Sequence, residues 1–261
     1  MQTRLDGKTA VITGAASGVG FAIAQAMSEA GASIVLADLD GDSGERAREA
    51  IARAPAASRF VKTNVADVDA VRRLMDTAVE HFGAVDILVN NAGLQFLSPV
   101  VEFPEERWNL LVDVILTGTF LCSKYALPHM LRRKWGRVIN IASLHAKVAS
   151  PFKSAYVAAK HGVLGFTKTL ALEVAEHNIT CNAICPAYVR TPLVEKQIAE
   201  QAMRHGIAAD EVVSKIMTEP AAIKRLLEPS EVAALAVYLT SDLAAGITGA
   251  ALDIDLGWTA R

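Results

Sequence analysis

Residues 10–20 read Ala10-Val11-Ile12-Thr13-Gly14-Ala15-Ala16-Ser17-Gly18-Val19-Gly20, and a second apolar run, Ile34-Val35-Leu36-Ala37, ends in Asp38. Runs of this kind have no polar side, so they suit strands covered on both faces, the situation of a parallel sheet. Glycines at 14, 18 and 20 interrupt the first run and open a helical period over 19–30. Strand, tight turn and helix in that order form half of a βαβ unit, and the same alternation continues along the chain. Strands are predicted near 8–13, 33–37, 59–63, 86–90, 136–142, 179–185 and 250–254, with helices near 19–30, 42–53, 68–82, 105–133, 152–176 and 230–241. These units consume nearly all 261 residues, which leaves no second domain. The one extended departure, Pro186 to Glu228, reads as a substrate-covering lid over 187–228.

Bulk composition removes several classes of function. With 26 Lys+Arg against 28 Asp+Glu, the formal charge of −2 gives no basic footprint for nucleic acid or an anionic membrane. The longest uncharged stretches, such as 87–101, are broken by Asn90, Asn91, Gln95, Ser98 and Pro99, short of the ~20 apolar residues of a membrane span. The N-terminal stretch lacks the apolar core of a secretory signal. Three cysteines, Cys122, Cys181 and Cys185, are too few for a disulfide framework, and no second ligand pair makes a metal site of them. A cytoplasmic protein with structural thiols, no metal, and no nucleic-acid or membrane partner is expected.

Ligands of an open α/β sheet bind beyond the carboxyl ends of its strands, so the residues just after each strand carry the functional information. After the first, Gly14 permits a sharp turn, Gly18 lets the backbone approach a pyrophosphate, and Gly20 allows close packing of helix on strand. Ser17 and Val19 lie in the same turn, at a helix N-terminus suited to phosphate charge. Asp38, closing the second strand, accepts hydrogen bonds from a ribose diol and repels a 2′-phosphate. The sequence 37–41, Ala-Asp-Leu-Asp-Gly, offers no cation to offset that, so NAD is preferred over NADP. Asn64 and Val65 follow the third strand, at the adenine, and Asn91, Ala92 and Gly93 continue the rim after the fourth.

Ser143 stands beyond the fifth strand, and Tyr156 and Lys160 are four apart on one helix face. A serine hydroxyl there orients a carbonyl or alcohol oxygen. A neighbouring ammonium lowers a tyrosine pKa from about 10, which fits the phenol to exchange a proton during hydride transfer. In this order, the Thr-Gly-x-x-x-Gly-x-Gly turn, Asn90-Asn91-Ala92-Gly93, Ser143, Tyr156-x-x-x-Lys160 and Pro186 resemble the short-chain dehydrogenase/reductase family over essentially the whole chain. The resemblance implies a single-domain Rossmann fold, a doubly wound seven-stranded parallel sheet, assembled as a homotetramer. It makes Ser143, Tyr156 and Lys160 catalytic, with Tyr156 as acid/base and Lys160 on the nicotinamide ribose, and adds cofactor contacts from Pro186, Val189 and Thr191. One position departs: where the family carries a catalytic Asn, this chain has Ile115. The role assigned to that residue rests mainly on its backbone carbonyl, which Ile115 retains if the local helix bend survives. Asn64 stands where an Asp is frequent, and Ala187 where a Gly often follows the proline.

Four further polar residues are not explained by the cofactor: Gln95, His145, Lys153 and Gln197. All are donors, and charge-assisted hydrogen bonds to a carboxylate are about twice as strong as neutral ones, so as a set they suit a small anion. Singly, each reads as a loop or surface residue. The stretches 93–95, 141–145, 153–162 and 182–198, with the ending 257–261, are similar to the branch of the family that oxidises (R)-3-hydroxybutyrate with NAD. That similarity implies a small hydroxy-acid substrate, held at its carboxylate by those four donors and walled by Tyr188 and Trp258, with Tyr188 standing where a Trp is expected. Two other readings stand: a 3-oxoacyl-thioester reductase of the same family, disfavoured by Asp38, and a catalytically silent NAD-binding protein, suggested only by Ile115.

Overall fold

A computed structural model of the chain describes residues 3–51 and 57–260, without the side chains of Arg204 and His205. Strands β1 (Thr9–Thr13), β2 (Ser33–Asp38), β3 (Ser58–Lys62), β4 (Ile87–Asn90), β5 (Gly136–Ile141), β6 (Ile179–Pro186) and β7 (Ala251–Ile254) form one parallel sheet in the order β3-β2-β1-β4-β5-β6-β7. Every expected strand is present, with its ends within one residue of the sequence reading. The order reverses between β1 and β4, and a crevice opens there at the carboxyl ends of the strands.

Side chains alternate across the sheet, and each face finds its own cover. Ile12, Ile34 and Leu36 pack with Ile23 and Met27 of α1 (Gly18–Glu29) and with Val232 and Leu239 of α9 (Pro229–Thr240). Val11, Val35 and Leu88 point the other way, into Val71 and Leu74 of α3 (Val68–Phe82), Ala126 and Met130 of α5 (Gly118–Arg133), and Leu170 of α6 (Ser154–Val174). Coverage on both faces is why the strand runs are continuously apolar. The Asp67 carboxylate caps α3 by accepting from the amides of Asp69 and Ala70, and Gly83 ends it in the left-handed conformation. Helix α2 (Gly41–Ile51) covers β2 and β3, and the expected continuation to 52–53 lies outside the described residues.

The helix expected over 105–133 is built in three parts: α4 (Glu105–Val112), a π-helical turn at Asp113–Thr117, and α5. Its length and composition match a membrane span, contrary to the sequence reading, because between Arg107 and Lys124 the only charged residue is Asp113. In this fold it is a covering helix, packed along the sheet through Leu121, Cys122, Ala126 and Met130.

The insertion after β6 is itself helical, which the strand-helix reading does not assign. Thr191 Oγ1 accepts from the Val194 amide and Pro192 opens α7 (Pro192–His205); α8 (Ala209–Val212) and a π-helical turn at Val213–Met217 follow. Val194, Ile198, Val212, Met217 and Leu226 form a small apolar cluster of its own. Its two stems meet in a parallel bridge between Val189 and Leu227, where the Leu227 amide donates to Tyr188 O at 2.9 Å and Arg190 N to Leu227 O at 2.8 Å.

Candidate active site

A cavity of about 540 Å³ occupies the crevice, running from Asp38 at the end of β2 to Gln197 on α7. Its first wall is the glycine turn. Gly14 and Gly18 have φ of +61° and +56°, a region that favours glycine, and a Cβ on Gly14 would stand 2.9 Å from Ala92 Cα. Ser17 caps α1 without a side-chain bond to its amides, so the first-turn N–H groups remain for a ligand. Gly20 serves packing and does not line the cavity: a Cβ there would lie 2.2 Å from Gly14 O. The sequence reading counts it within the cofactor turn for its packing, and letting α1 sit on the turn is its role.

Asp38 lines the cavity and also braces the turn, its Oδ2 accepting from Ala16 N at 3.0 Å. Asn91 ties the next rim to it, since Nδ2 donates to the carbonyls of Thr13 and Gly14, both at 2.9 Å. Behind the rim, Asn90 Nδ2 donates to Asn140 Oδ1 at 2.8 Å, and Asn140 Nδ2 to Thr167 Oγ1 at 2.9 Å, fixing β4, β5 and α6 together. Val19, Asn64, Val65, Ala92 and Gly93 line the same half, and Pro186, Val189 and Thr191 border it from the β6 side.

Ser143 directly follows the residue after β5 and caps a short 3-10 turn, Oγ accepting from His145 N at 3.1 Å. Tyr156 and Lys160 enter from α6. Lys160 Nζ donates to Ile141 O at 2.6 Å and lies 5.6 Å from the Tyr156 ring centroid. The lowering of the Tyr156 pKa expected from Lys160 is not what this site produces. Burial pushes the phenol up to about 12, opposed by its hydrogen bond with Ser143, while burial also pushes the Lys160 ammonium down to about 8. Both groups are sunk in the protein, and desolvation is the largest effect on each.

The third wall gathers the expected anion site: Gln95, His145, Lys153, Tyr188 and Gln197 all line the cavity beside Ser143 and Tyr156. Lys153 is 6% exposed, and its Nζ donates to Tyr188 Oη at 2.8 Å. Burial without a carboxylate partner pushes it down to about 8. His145 is held neutral, its pKa pushed down to about 3 by burial and then by the charges of Lys153 and His161, and its Nε2 pairs with Ser150 Oγ at 2.8 Å. Gln95 Oε1 is buried with no partner among the described residues. Trp258, expected in the wall, does not line the cavity: its ring packs against that of Tyr188, centroids 5.8 Å apart, in a turn whose Gly257 and Thr259 amides donate to the Asp255 carboxylate.

The bend on which the Ile115 argument depends is present as the π-helical turn. Ile115 itself is buried among Leu111, Ala155 and Ala159, and its carbonyl accepts from Thr119 Oγ1 at 2.7 Å. Sequence reasoning missed the apolar liners Leu39, Leu110 and Val114. Only Leu39 carried a signal, an apolar residue between two aspartates that proves 64% exposed. The three thiols are buried and form no disulfide, and burial pushes Cys122 and Cys181 up to about 12.

A protein family described as Enoyl-(Acyl carrier protein) reductase matches residues 14–259. Among curated proteins, the D-beta-hydroxybutyrate dehydrogenase of Rhizobium meliloti (strain 1021) is 48% identical over 257 residues, 97% of this chain and 99% of that one. The D-beta-hydroxybutyrate dehydrogenase of Cupriavidus necator is 42% identical over 259 residues, 98% and 100% of the two chains. The cis-4-hydroxycyclohexanecarboxylate dehydrogenase of Sinomonas cyclohexanicum is 38% identical over 254 residues, 97% of each chain.

Proposed function

The chain belongs to the short-chain dehydrogenase/reductase family, and we propose that it catalyses the reversible, NAD-dependent oxidation of (R)-3-hydroxybutyrate to acetoacetate. One observation carries the substrate: a buried lysine whose hydrogen-bond partner is a neutral phenol, in the same pocket as Ser143 and Tyr156. A buried cation is costly unless an anion joins it, so the pocket favours an acid that places its hydroxyl at the tyrosine. The two relatives named for D-beta-hydroxybutyrate support the same reading.

The residues present fit a dinucleotide. The glycine turn leaves a cradle that a Cβ would fill, and Asp38 offers a carboxylate to a ribose diol while opposing a 2′-phosphate. When bound, the nicotinamide supplies the acceptor for the hydride that leaves C3 of the substrate. The chain's own residues do the rest. Ser143 and Tyr156 hold the C3 hydroxyl, and Tyr156 takes its proton as C3 becomes a carbonyl. The hydrogen bond with Ser143 favours the phenolate against burial. Ile115 contributes through its backbone carbonyl at the π-helical turn. Gln95, His145, Lys153 and Gln197 fix the carboxylate, and the insertion 187–228 acts as a lid that excludes water.

The reading extends to a cytoplasmic homotetramer, supported by the apolar residues Phe120 and Leu172 on the outer sides of α5 and α6. The test is spectrophotometric: NADH formation from racemic 3-hydroxybutyrate, repeated with NADP and, in reverse, with an acetoacetyl thioester plus NADPH. The proposal requires NADH from the R isomer, and Lys153→Ala should raise the KM for the acid while leaving NAD binding intact. Preference for the thioester with NADPH would favour a 3-oxoacyl-thioester reductase, the other reading of this family. Silence toward every hydroxy acid would leave a non-catalytic NAD-binding protein.

A further inference from the structure

Tyr188 sits in the first stem of the insertion, and its hydroxyl is the partner that the buried Lys153 ammonium has found. The ring is clamped rather than free. His145 approaches it edge-on, centroids 6.4 Å apart, and Trp258 packs against it at 5.8 Å. Trp258 is in turn fixed by the Asp255 carboxylate, which accepts from Thr259 N at 2.8 Å and from Thr259 Oγ1 at 2.6 Å. A phenol accepting from lysine keeps its own proton to donate, and an indole at this position would offer the ammonium no acceptor. Nζ and Oη stand 2.8 Å apart, close enough for each to donate to a different oxygen of one carboxylate.

We propose that Tyr188 is a specificity-determining residue whose hydroxyl, together with the Lys153 ammonium, forms one two-point donor for the substrate carboxylate. This deepens the hydroxy-acid reading above and rests on it. Tyr188 donates to one oxygen and Lys153 to the other, so the pocket selects free short-chain acids over their amides, esters and thioesters, which lack the second anionic oxygen. Burial keeps the Tyr188 phenol protonated, its pKa pushed up to about 12, so it remains a donor through the working range.

The experiment is calorimetric titration of the NAD-loaded enzyme with butyrate and with butyramide, neither of which needs to react. Tyr188→Phe keeps the ring and removes the hydroxyl. Butyrate should weaken about tenfold, the usual size of a lost hydrogen bond to a charged group, and butyramide, whose carbonyl is a neutral acceptor, by clearly less. In a Lys153→Met background the same substitution should cost markedly less, because the pair acts jointly. Equal weakening of both ligands, no weakening, or a full tenfold loss in that background each overturns the assignment. Oxidation of 3-hydroxybutyrate by the unmutated protein, assayed on the same samples, decides the functional reading separately: an inactive protein that still shows the butyrate effect loses the reaction and keeps the two-point donor.

Discussion

Affinity for the substrate acid should fall as pH rises through about 8, and the reason is Lys153. Burial holds its ammonium at about 8, with a neutral phenol at 2.8 Å. Below that pH the anion site carries a cation; above it the site is a neutral amine. Hydrogen bonds to a charged group are worth ~1.5–3 kcal/mol, so the charged site should bind a carboxylate about 10- to 150-fold more tightly. By linkage the bound acid raises the lysine pKa by the same factor, about one to two pH units. The dissociation constant should therefore be flat below pH 8, climb about tenfold per pH unit above it, and level off near 9–10. Lys160, pushed down to about 8 by burial, titrates in the same range, but its effect cancels in the ratio of kcat/KM for 3-hydroxybutyrate to that for its methyl ester. That ratio, followed from pH 6.5 to 10, should drop above 8 in the unmutated enzyme and stay flat in Lys153→Met. A flat profile in the former, or the same drop in the latter, would refute the argument.

The remaining expectations touch the cofactor half and the helix bend. Gly20→Ala drives a Cβ to 2.2 Å from Gly14 O; overpacking of ~1–3 kcal/mol should lower the Tm by about 3–10 °C and weaken NAD binding, and an unchanged melting curve would contradict the close packing. Asp38→Ala removes an acceptor for the ribose diol and the brace on Ala16 N; KM for NAD should rise about 10- to 100-fold and the preference over NADP should collapse, as steady-state kinetics with both cofactors would reveal. Ile115→Asn buries an amide among Leu111, Ala155 and Ala159; it should cost ~1–3 kcal/mol of stability in a denaturant titration and leave kcat within about threefold. A gain of orders of magnitude in turnover would mean that the backbone carbonyl alone does not serve.

The sheet was legible in the sequence because strands covered on both faces must be continuously apolar, and Val11, Ile12, Val35 and Leu36 leave no other place to go. The polar residues of the cavity were legible for a related reason: they follow strand ends, and topology brings strand ends together. What escaped is set by the third dimension. Trp258 and Tyr188 are equally good wall residues in a linear reading, and only the folded chain packs Trp258 against Tyr188 without lining the cavity. The Tyr156 pKa reverses because helical spacing reports the neighbouring ammonium but not the depth of burial. Helix α7 is signalled in the sequence by Thr191-Pro192 and by Glu195, a cap and first-turn pattern at the start of the insertion.

The bridge between Val189 and Leu227 makes the insertion begin and end at one place. Its cost of loop closure is borne at that point, not by the strands around it, and its apolar cluster is its own. The segment is closed at its stems and tied once more to the turn after β7, where the amides of Ala222 and Ile223 donate to Leu256 O. A chimaera carrying a relative's residues between Val189 and Leu227 asks the sheet, the glycine turn and the catalytic helix for no new register. Such an exchange moves Val194, Gln197 and the rest of α7 together, while Gln95, His145, Lys153 and Tyr188 stay with the scaffold, so it reshapes one wall of the cavity and leaves the other donors in place.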